Sequence, residues 1–137
     1  MHIKKSLIIV FSFLCIGCSS DETKMTETDK YLADKFNAEW AELGFKTLRT
    51  ETNSKLTENR QFLFFEIKNM VDIERIMDNT DYYKERGMTI ANFIKDSIQY
   101  DELPFQPKEI QIDFISESGF YLLSSEKRKS ILFDLNY

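Results

Sequence analysis

The fold of this chain depends most on residues 60–68, which read RQFLFFEIK. Successive side chains of a β-strand point to opposite faces of a sheet, so Phe62 and Phe64 would share one face, and Leu63, Phe65 and Ile67 the other. A strand that is apolar on both faces is typical of the centre of a sheet with cover on both sides. The alternative is that the aromatic face is open and binds a partner.

Apolar residues alternate in several further segments, and this period of two predicts strands. Polar or glycine-containing segments separate them, including predicted turns at 53–55, 116–119 and 125–129. With the segment above, the predicted strands are residues 45–52, 60–68, 108–115, 120–124 and 130–135.

Helical spacing of apolar residues predicts three helices. The first begins near Thr28, ends at Gly44 and has four apolar residues on one face: Leu32, Phe36, Trp40 and Leu43. A short second helix has Asn69 as its N-cap, and a longer third helix begins near Asp81. Gly87 lies on the apolar face of the third helix, where it indicates either close packing or a kink.

The resulting order, α-β-β-α-α-β-β-β, predicts an α+β fold. Residues 28–137 would form a single domain. Its last three strands are close in sequence and would form an antiparallel meander. We therefore expect one mainly antiparallel five-stranded sheet with the helices packed on one face.

The first 17 residues have the composition of a secretory signal. Lys4 and Lys5 precede an apolar run at residues 6–14, and a small residue, Gly17, precedes Cys18. The apolar run is shorter than the roughly 20 residues that a membrane-spanning helix needs. These residues therefore predict a segment that is removed from the mature protein.

The segment Cys15-Ile16-Gly17-Cys18 resembles the cleavage box of bacterial lipoproteins, in which the last cysteine is lipidated. The resemblance covers about twenty residues, and Cys15 stands where that family usually has leucine. It implies that residues 1–17 are cleaved, that Cys18 is lipidated, and that residues 18–27 form a polar tether. An ordinary secretory signal, cut without lipidation, is the alternative.

The residue after the cysteine implies a location within the envelope. Ser19 stands where an aspartate would resemble an inner-membrane retention signal, so the resemblance implies the outer membrane. Asp21 and Glu22 continue an acidic tether similar to those that direct some lipoproteins to the cell surface.

Composition excludes several classes of function. The one histidine, His2, and Cys15 both lie in the predicted signal, so the mature chain would contain no histidine and one cysteine, Cys18. This excludes an intrachain disulfide, thiol–imidazole and Ser–His–acid catalysis, and histidine or cysteine metal centres. We expect no metal and no cofactor.

The charge balance bears on possible partners. The chain has formal charge −5, and loss of Lys4 and Lys5 with the signal would leave about −7. An acidic protein is a poor ligand for nucleic acid, so we expect no nucleic-acid partner. The longest basic run, residues 127–129, falls in a predicted turn.

These observations favour a non-catalytic binding module that is attached to the membrane by its N-terminal lipid and recognises a protein or polysaccharide of the envelope. The candidate binding residues are the aromatic side chains Phe62, Phe64, Tyr82 and Phe93.

Two alternatives stay open. The first is an immunity or inhibitor lipoprotein that acts against a toxin or a wall-degrading enzyme. The second is a hydrolase of envelope polysaccharide, which needs two carboxylates about 5–10 Å apart; the candidate pairs are Glu66 with Asp113 and Asp101 with Glu102.

Overall fold

The computed structural model describes residues 24–97, 99, 103, 105–119 and 123–135. The predicted signal, Cys18 and most of the predicted tether lie outside the described residues. Helices and strands together confirm the α+β class. In chain order the elements are α1 (Glu27–Lys35), β1 (Trp40–Thr52), β2 (Lys55–Lys68), α2 (Ile73–Asp78), α3 (Thr80–Ser97), β3 (Glu109–Ser118) and β4 (Ser125–Asp134).

The sheet is mixed, so the prediction of a mainly antiparallel sheet was wrong. In the part of the chain that the structure describes it has four strands in the order β1-β2-β3-β4. The pairs β1–β2 and β3–β4 are antiparallel, whereas β2 and β3 are parallel. Parallel neighbours need a crossover connection, and here α2 and α3 supply it.

The end of the chain differs from the prediction of two short strands. Residues 120–122 of the predicted strand 120–124 lie outside the described residues, and Leu123 and Ser124 are not in a strand. A single strand, β4, begins at Ser125 and includes the basic run that we placed in a turn. Ser118 pairs with Ser125, so β4 begins before the basic run. Residues 127–129 therefore lie in β4, which is an edge strand. Charged residues are common there because they discourage pairing with other chains.

Helix α1 is shorter than predicted because the chain turns immediately after it. The helix ends at Lys35, and Asn37 has a left-handed backbone with φ of 52°. The amide of Ala38 donates to the Ala33 carbonyl at 2.8 Å, which closes the last turn. Trp40 and Leu43 therefore lie in β1, and the predicted helical face was wrong beyond Phe36.

The start of α1 is fastened to β1 by a buried carboxylate. Thr26 and Asp29 form a capping box, in which each side chain accepts the other residue's backbone amide. The Oδ1 atom of Asp29 also accepts the backbone amide of Leu43 at 3.0 Å. Strand β1 lies at the edge of the sheet, and the Leu43 amide points away from β2, its one neighbouring strand in the described sheet. The Asp29 carboxylate gives this buried amide its hydrogen-bond acceptor.

Asparagine residues set two of the other chain reversals. Asn53 and Ser54 both have positive φ and form the two-residue turn between β1 and β2. Asn69, which we predicted to be a helix cap, also has positive φ. Its side chain instead joins two strand ends, because it donates to Glu39 and accepts the amide of Glu117. The N-cap of α2 is Asp72.

One face of the sheet, which we call the core face, carries the buried apolar side chains of the four strands. Phe36 of α1 meets Phe65 edge-on with ring centroids 6.2 Å apart, and Tyr83 of α3 meets Phe114 at 6.0 Å. The residues of the core face are Ala41, Leu43, Phe45, Leu63, Phe65, Ile67, Ile110, Ile112, Phe114, Ile131 and Phe133.

Gly87 marks close packing rather than a kink. Helix α3 continues unbroken through it, and it is buried. A Cβ atom at this position would lie 3.0 Å from side-chain atoms of Ile131 and Phe133. The absence of a side chain therefore lets α3 approach β4.

Candidate interaction surface

The opposite side of the sheet, which we call the polar face, is a mixture of aromatic and charged side chains. Its members follow from the register of the four strands, since alternate residues share a face. The polar face consists of Trp40, Glu42, Gly44, Lys46, Leu48, Thr50, Arg60, Phe62, Phe64, Glu66, Lys68, Glu109, Gln111, Asp113, Ile115, Glu117, Glu126, Arg128, Ser130, Leu132 and Asp134.

Cationic side chains lie over the three aromatic rings of the polar face. The Lys68 ammonium is 5.2 Å from the centroid of the Trp40 ring, and the Arg60 guanidinium is 5.6 Å from that of Phe62. Both distances are within the range of cation–π attraction. Phe62 is 7% exposed but does not belong to the buried cluster that contains the apolar residues of the helices. The sheet thus covers part of its own apolar surface with charged side chains.

Gly44 gives the third ring its position. A Cβ atom at this residue would lie 2.6 Å from Cε1 of Phe64, so the ring rests directly over the glycine. The Lys46 ammonium is 4.5 Å from the centroid of the same ring. Phe64 is therefore held between the β1 backbone and a cation.

The same cations are also paired with carboxylates. Lys68 lies 2.8 Å from Glu117, and Arg60 lies 2.6 Å from Glu109, which accepts from both Nε and Nη2. Each of these cations therefore contacts a ring and a carboxylate together, which restricts its rotamers.

Arg128 of β4 connects three strands at the centre of the polar face. Its Nη1 atom donates to Glu66 at 3.1 Å and to Asp113 at 3.0 Å, and its Nη2 atom donates to Glu126 at 3.3 Å. Desolvation alone would lower the pKa of Arg128, but the hydrogen bond and charge of Glu66 and the charge of Asp113 raise it above its ordinary value. Asp113 is 3% exposed and also accepts from Gln111 at 2.9 Å.

Three carboxylates form a row across adjacent strands. Glu42 is the register partner of Glu66, and Glu66 is the register partner of Asp113. Partial burial, followed by the charges of Glu66 and Asp29, raises the pKa of Glu42 above its usual value, although Lys46 opposes the shift. Among the described residues, no hydrogen bond or ion pair joins the Glu42 carboxylate to another group.

The predicted carboxylate pair Glu66 and Asp113 does lie on neighbouring strands. Both accept from the same Arg128 nitrogen, so the two accepting oxygens are at most about 6 Å apart. They lie on the polar face, and a cavity at the start of β3 borders the same face at Arg60, Glu109 and Asp134. That cavity encloses about 490 Å³ and is lined by Arg60, Gln61, Gln106, Lys108, Glu109 and Asp134. Asp101 and Glu102, the other predicted pair, lie outside the described residues.

The four predicted binding residues do not form one patch. Phe62 and Phe64 lie on the polar face of the sheet. Tyr82 lies on α3, where its hydroxyl donates to Asp72 at 2.6 Å and this hydrogen bond raises the pKa of Tyr82. Phe93, also on α3, packs edge-on against Phe36 with centroids 5.5 Å apart. Tyr82 thus connects α3 to the N-cap of α2, and Phe93 connects α3 to the residue that follows α1.

The sequence did not identify Arg128 and Glu42 as members of this surface. Arg128 was assigned to a turn, and Glu42 to a helix, so neither was placed beside Glu66. Residues 125–130 are all polar or charged, so no alternation of residue types in the sequence marked Arg128 as part of a strand.

In the described part of the chain, no group of three or more histidine, cysteine, aspartate or glutamate residues is placed to hold a metal ion. No described helix combines the length and apolarity needed to cross a membrane. No protein-family model matches the chain, and comparisons with curated proteins and with solved structures give no match.

Proposed function

We propose that this chain is a lipid-anchored envelope protein whose folded domain binds a partner through the polar face of its sheet. The anchor rests on the sequence: a charged segment, a short apolar run and Cys18 resemble a bacterial lipoprotein signal. In this proposal Cys18 carries the lipid, and Ser19 places the protein in the outer membrane, with its acidic tether directing it to the cell surface.

One observation carries the binding part of the proposal. The contacts described for α1 and α3 fall on the core face, so we infer that the helices cover one face and leave the polar face accessible. Glu42, Lys46 and Arg128 of that face are exposed. Protein interfaces are enriched in aromatic and arginine side chains, and the polar face contains both kinds.

Mass spectrometry of the mature protein tests the anchor. We expect the mature chain to begin at Cys18 with acyl mass added, and a Cys18→Ser variant to lose both the added mass and the membrane association. A Cys15→Ser variant serves as the matched control and should remain acylated. An unmodified Cys18 in the mature protein would remove this part of the proposal.

Site-specific cross-linking in cells tests the binding surface. A photo-reactive amino acid at Gln111, at the centre of the polar face, should give a discrete adduct. The same amino acid at Met88, which is 54% exposed on α3, is the matched control and should give none. Adducts from Met88 without adducts from Gln111 would contradict binding through the sheet.

A second candidate function follows from the adjacency of Glu66 and Asp113. A hydrolase of envelope polysaccharide could use these two carboxylates, whose oxygens are at a separation compatible with glycoside hydrolysis. Glu66→Gln and Asp113→Asn should each abolish any turnover that a glycan screen detects. Because Arg128 bonds both carboxylates and so occupies the space between them, binding is the better-supported function.

A further inference from the structure

The polar face carries an excess of negative charge. On the strand positions that define it, carboxylates outnumber cations by seven to four, a formal balance of −3. The carboxylates are Glu42, Glu66, Glu109, Asp113, Glu117, Glu126 and Asp134, and the cations are Lys46, Arg60, Lys68 and Arg128. The surface would therefore attract a cationic partner at a distance and repel an anionic one.

The four cations are already engaged within the domain. Arg128, Arg60 and Lys68 each contact carboxylates at 3.3 Å or less, and Lys46 lies 4.0 Å from Glu66. They neutralise part of the acidic charge but leave Glu42 and Asp134 without a bonded partner among the described residues. Within the row of Glu42, Glu66 and Asp113, the member without a bonded cation is Glu42, at the β1 end.

The Glu42–Glu66 pair destabilises the free domain. Like charges at directly opposite positions of antiparallel strands repel each other, and Glu42 and Glu66 occupy such positions. A lysine or arginine from a partner, placed between them, would convert this repulsion into attraction. The arrangement therefore favours the bound state over the free state.

Charge also discriminates between possible occupants of the face. A second copy of this chain would bring the same excess of carboxylates, and an anionic glycan would be repelled. A neutral glycan would donate hydrogen bonds from its hydroxyl groups to Glu42 but would leave the negative charge of Glu42 uncompensated. A basic protein is the occupant whose charge matches the surface.

We propose that the polar face is the docking surface for a basic protein, with a lysine or arginine side chain of that partner inserted between Glu42 and Glu66. This inference rests on the proposed function and specifies its partner. An envelope enzyme or toxin of basic charge belongs to this class of partner.

The first test uses the full lipidated chain in zwitterionic micelles, with hexa-arginine as the cationic probe and hexaglutamate as its counterpart. Amide resonances of Glu42, Glu66 and Gln111 should shift on addition of hexa-arginine, and the affinity should fall as salt is added. Shifts that centre on α3, or equal binding of hexaglutamate, would overturn the proposal.

Charge-removing variants make the test specific. Glu42→Gln should weaken hexa-arginine binding about fivefold, which corresponds to about 1 kcal/mol, whereas Glu85→Gln on the exposed side of α3 should leave it unchanged. Glu42→Asp keeps the charge and should keep most of the affinity. Equal losses in the Glu42→Gln and Glu85→Gln variants would mean that the probe senses net charge alone, and would contradict a defined site.

Cross-linking in cells separates this inference from the function on which it rests. An adduct from Gln111 with a basic protein, lost in Glu42→Gln but retained in Glu85→Gln, supports both. An adduct with an acidic protein or a glycan overturns the basic partner but leaves binding through the polar face intact. Absence of any adduct from Gln111 contradicts the proposed function itself.

Discussion

Replacing Asp29 with alanine should destabilise the protein by about 3 kcal/mol. The carboxylate accepts the backbone amide of Leu43 at 3.0 Å and that of Thr26 at 2.9 Å. Leu43 is buried, so its amide would be left without an acceptor, which costs about 1–3 kcal/mol. Loss of the cap at Thr26 adds about 1 kcal/mol. This is a large part of the roughly 5–15 kcal/mol by which a domain is stable.

Urea unfolding followed by far-UV circular dichroism and by fluorescence of Trp40, the one tryptophan, measures the effect. Asp34→Ala is the matched control, because Asp34 is exposed on the same helix. Asp34→Ala gains the same helix propensity as Asp29→Ala. The difference between the two variants in the free energy of unfolding therefore measures the contribution of the buried contacts of Asp29. Asp29→Asn should lose about half as much as Asp29→Ala, since one amide oxygen can still accept from Leu43.

Thr26→Ala separates the two roles of the carboxylate. It removes the hydroxyl that accepts the Asp29 amide at 3.1 Å and should cost about 1 kcal/mol. The buried bond to Leu43 remains in this variant. If Asp29→Ala proved no more destabilising than Thr26→Ala, the attachment of α1 to the edge of β1 would not depend on this carboxylate, and the reasoning would be refuted.

Three further predictions concern the sheet and its polar face. Gly87→Leu should destabilise by at least about 3 kcal/mol by urea unfolding, because α3 and β4 leave no room for a side chain; tolerance of leucine would show that the helix can move away. Arg128→Gln should lower the free energy of unfolding by about 2 kcal/mol, because it leaves the buried Asp113 carboxylate without its cation. Adding Asp113→Asn should restore part of that loss. Arg49→Gln, which removes an exposed ion pair, should leave the stability unchanged. Glu42→Gln should stabilise the protein by about 0.3 kcal/mol at pH 7. The raised pKa of Glu42 means that its protonation favours the folded state, so the advantage of the variant should vanish as the pH falls below 4.5. A stability difference that does not depend on pH would contradict the raised pKa.

The periodicity of apolar residues correctly predicted the buried face of a strand or helix where the whole pattern lies within that one element. The alternation of Ile110, Ile112 and Phe114 predicted their common face in β3, and all three are buried. The spacing of Ile90 and Ile94 likewise predicted the buried face of α3. In these segments each residue's environment follows from its neighbours along the chain.

The topology of the sheet could not be obtained in the same way. Residues 60–68 are apolar on both faces, which is typical of parallel as well as central strands, and two helices separate β2 from β3. Both features are compatible with a parallel pair, but the sequence contains no local signal that prefers it over an antiparallel arrangement. The choice depends on how the crossover packs, which is a property of the whole domain.

A coincidence of spacing explains the error in the first helix. Trp40 follows Phe36 by four residues and Leu43 follows Trp40 by three, so the helical pattern continues in the sequence after the helix has ended. Asn37 was the available contrary signal, because asparagine adopts a left-handed backbone more readily than most residues. Its conformation begins the turn that leads into β1.

The candidate surface depended on this long-range topology. Adjacency of Glu66 and Asp113 was predicted on the assumption that their strands were neighbours, and the parallel pairing places them in register. Glu42 joins the row because residue 42 lies in a strand, and Arg128 joins it because residue 128 does. No spacing within the sequence connects residues 42, 66, 113 and 128.

The polar face must serve two needs that favour opposite charge arrangements. The apolar atoms of this face need cover, and Arg60, Lys46 and Lys68 supply part of it by lying over aromatic rings. If stability were the one requirement, each carboxylate of the face would be matched by such a cation. Glu42 instead faces Glu66 with no bonded cation among the described residues, so the free domain retains a repulsion that a neutral glutamine would remove. A residue whose charge opposes stability in this way is the kind that function, rather than folding, accounts for.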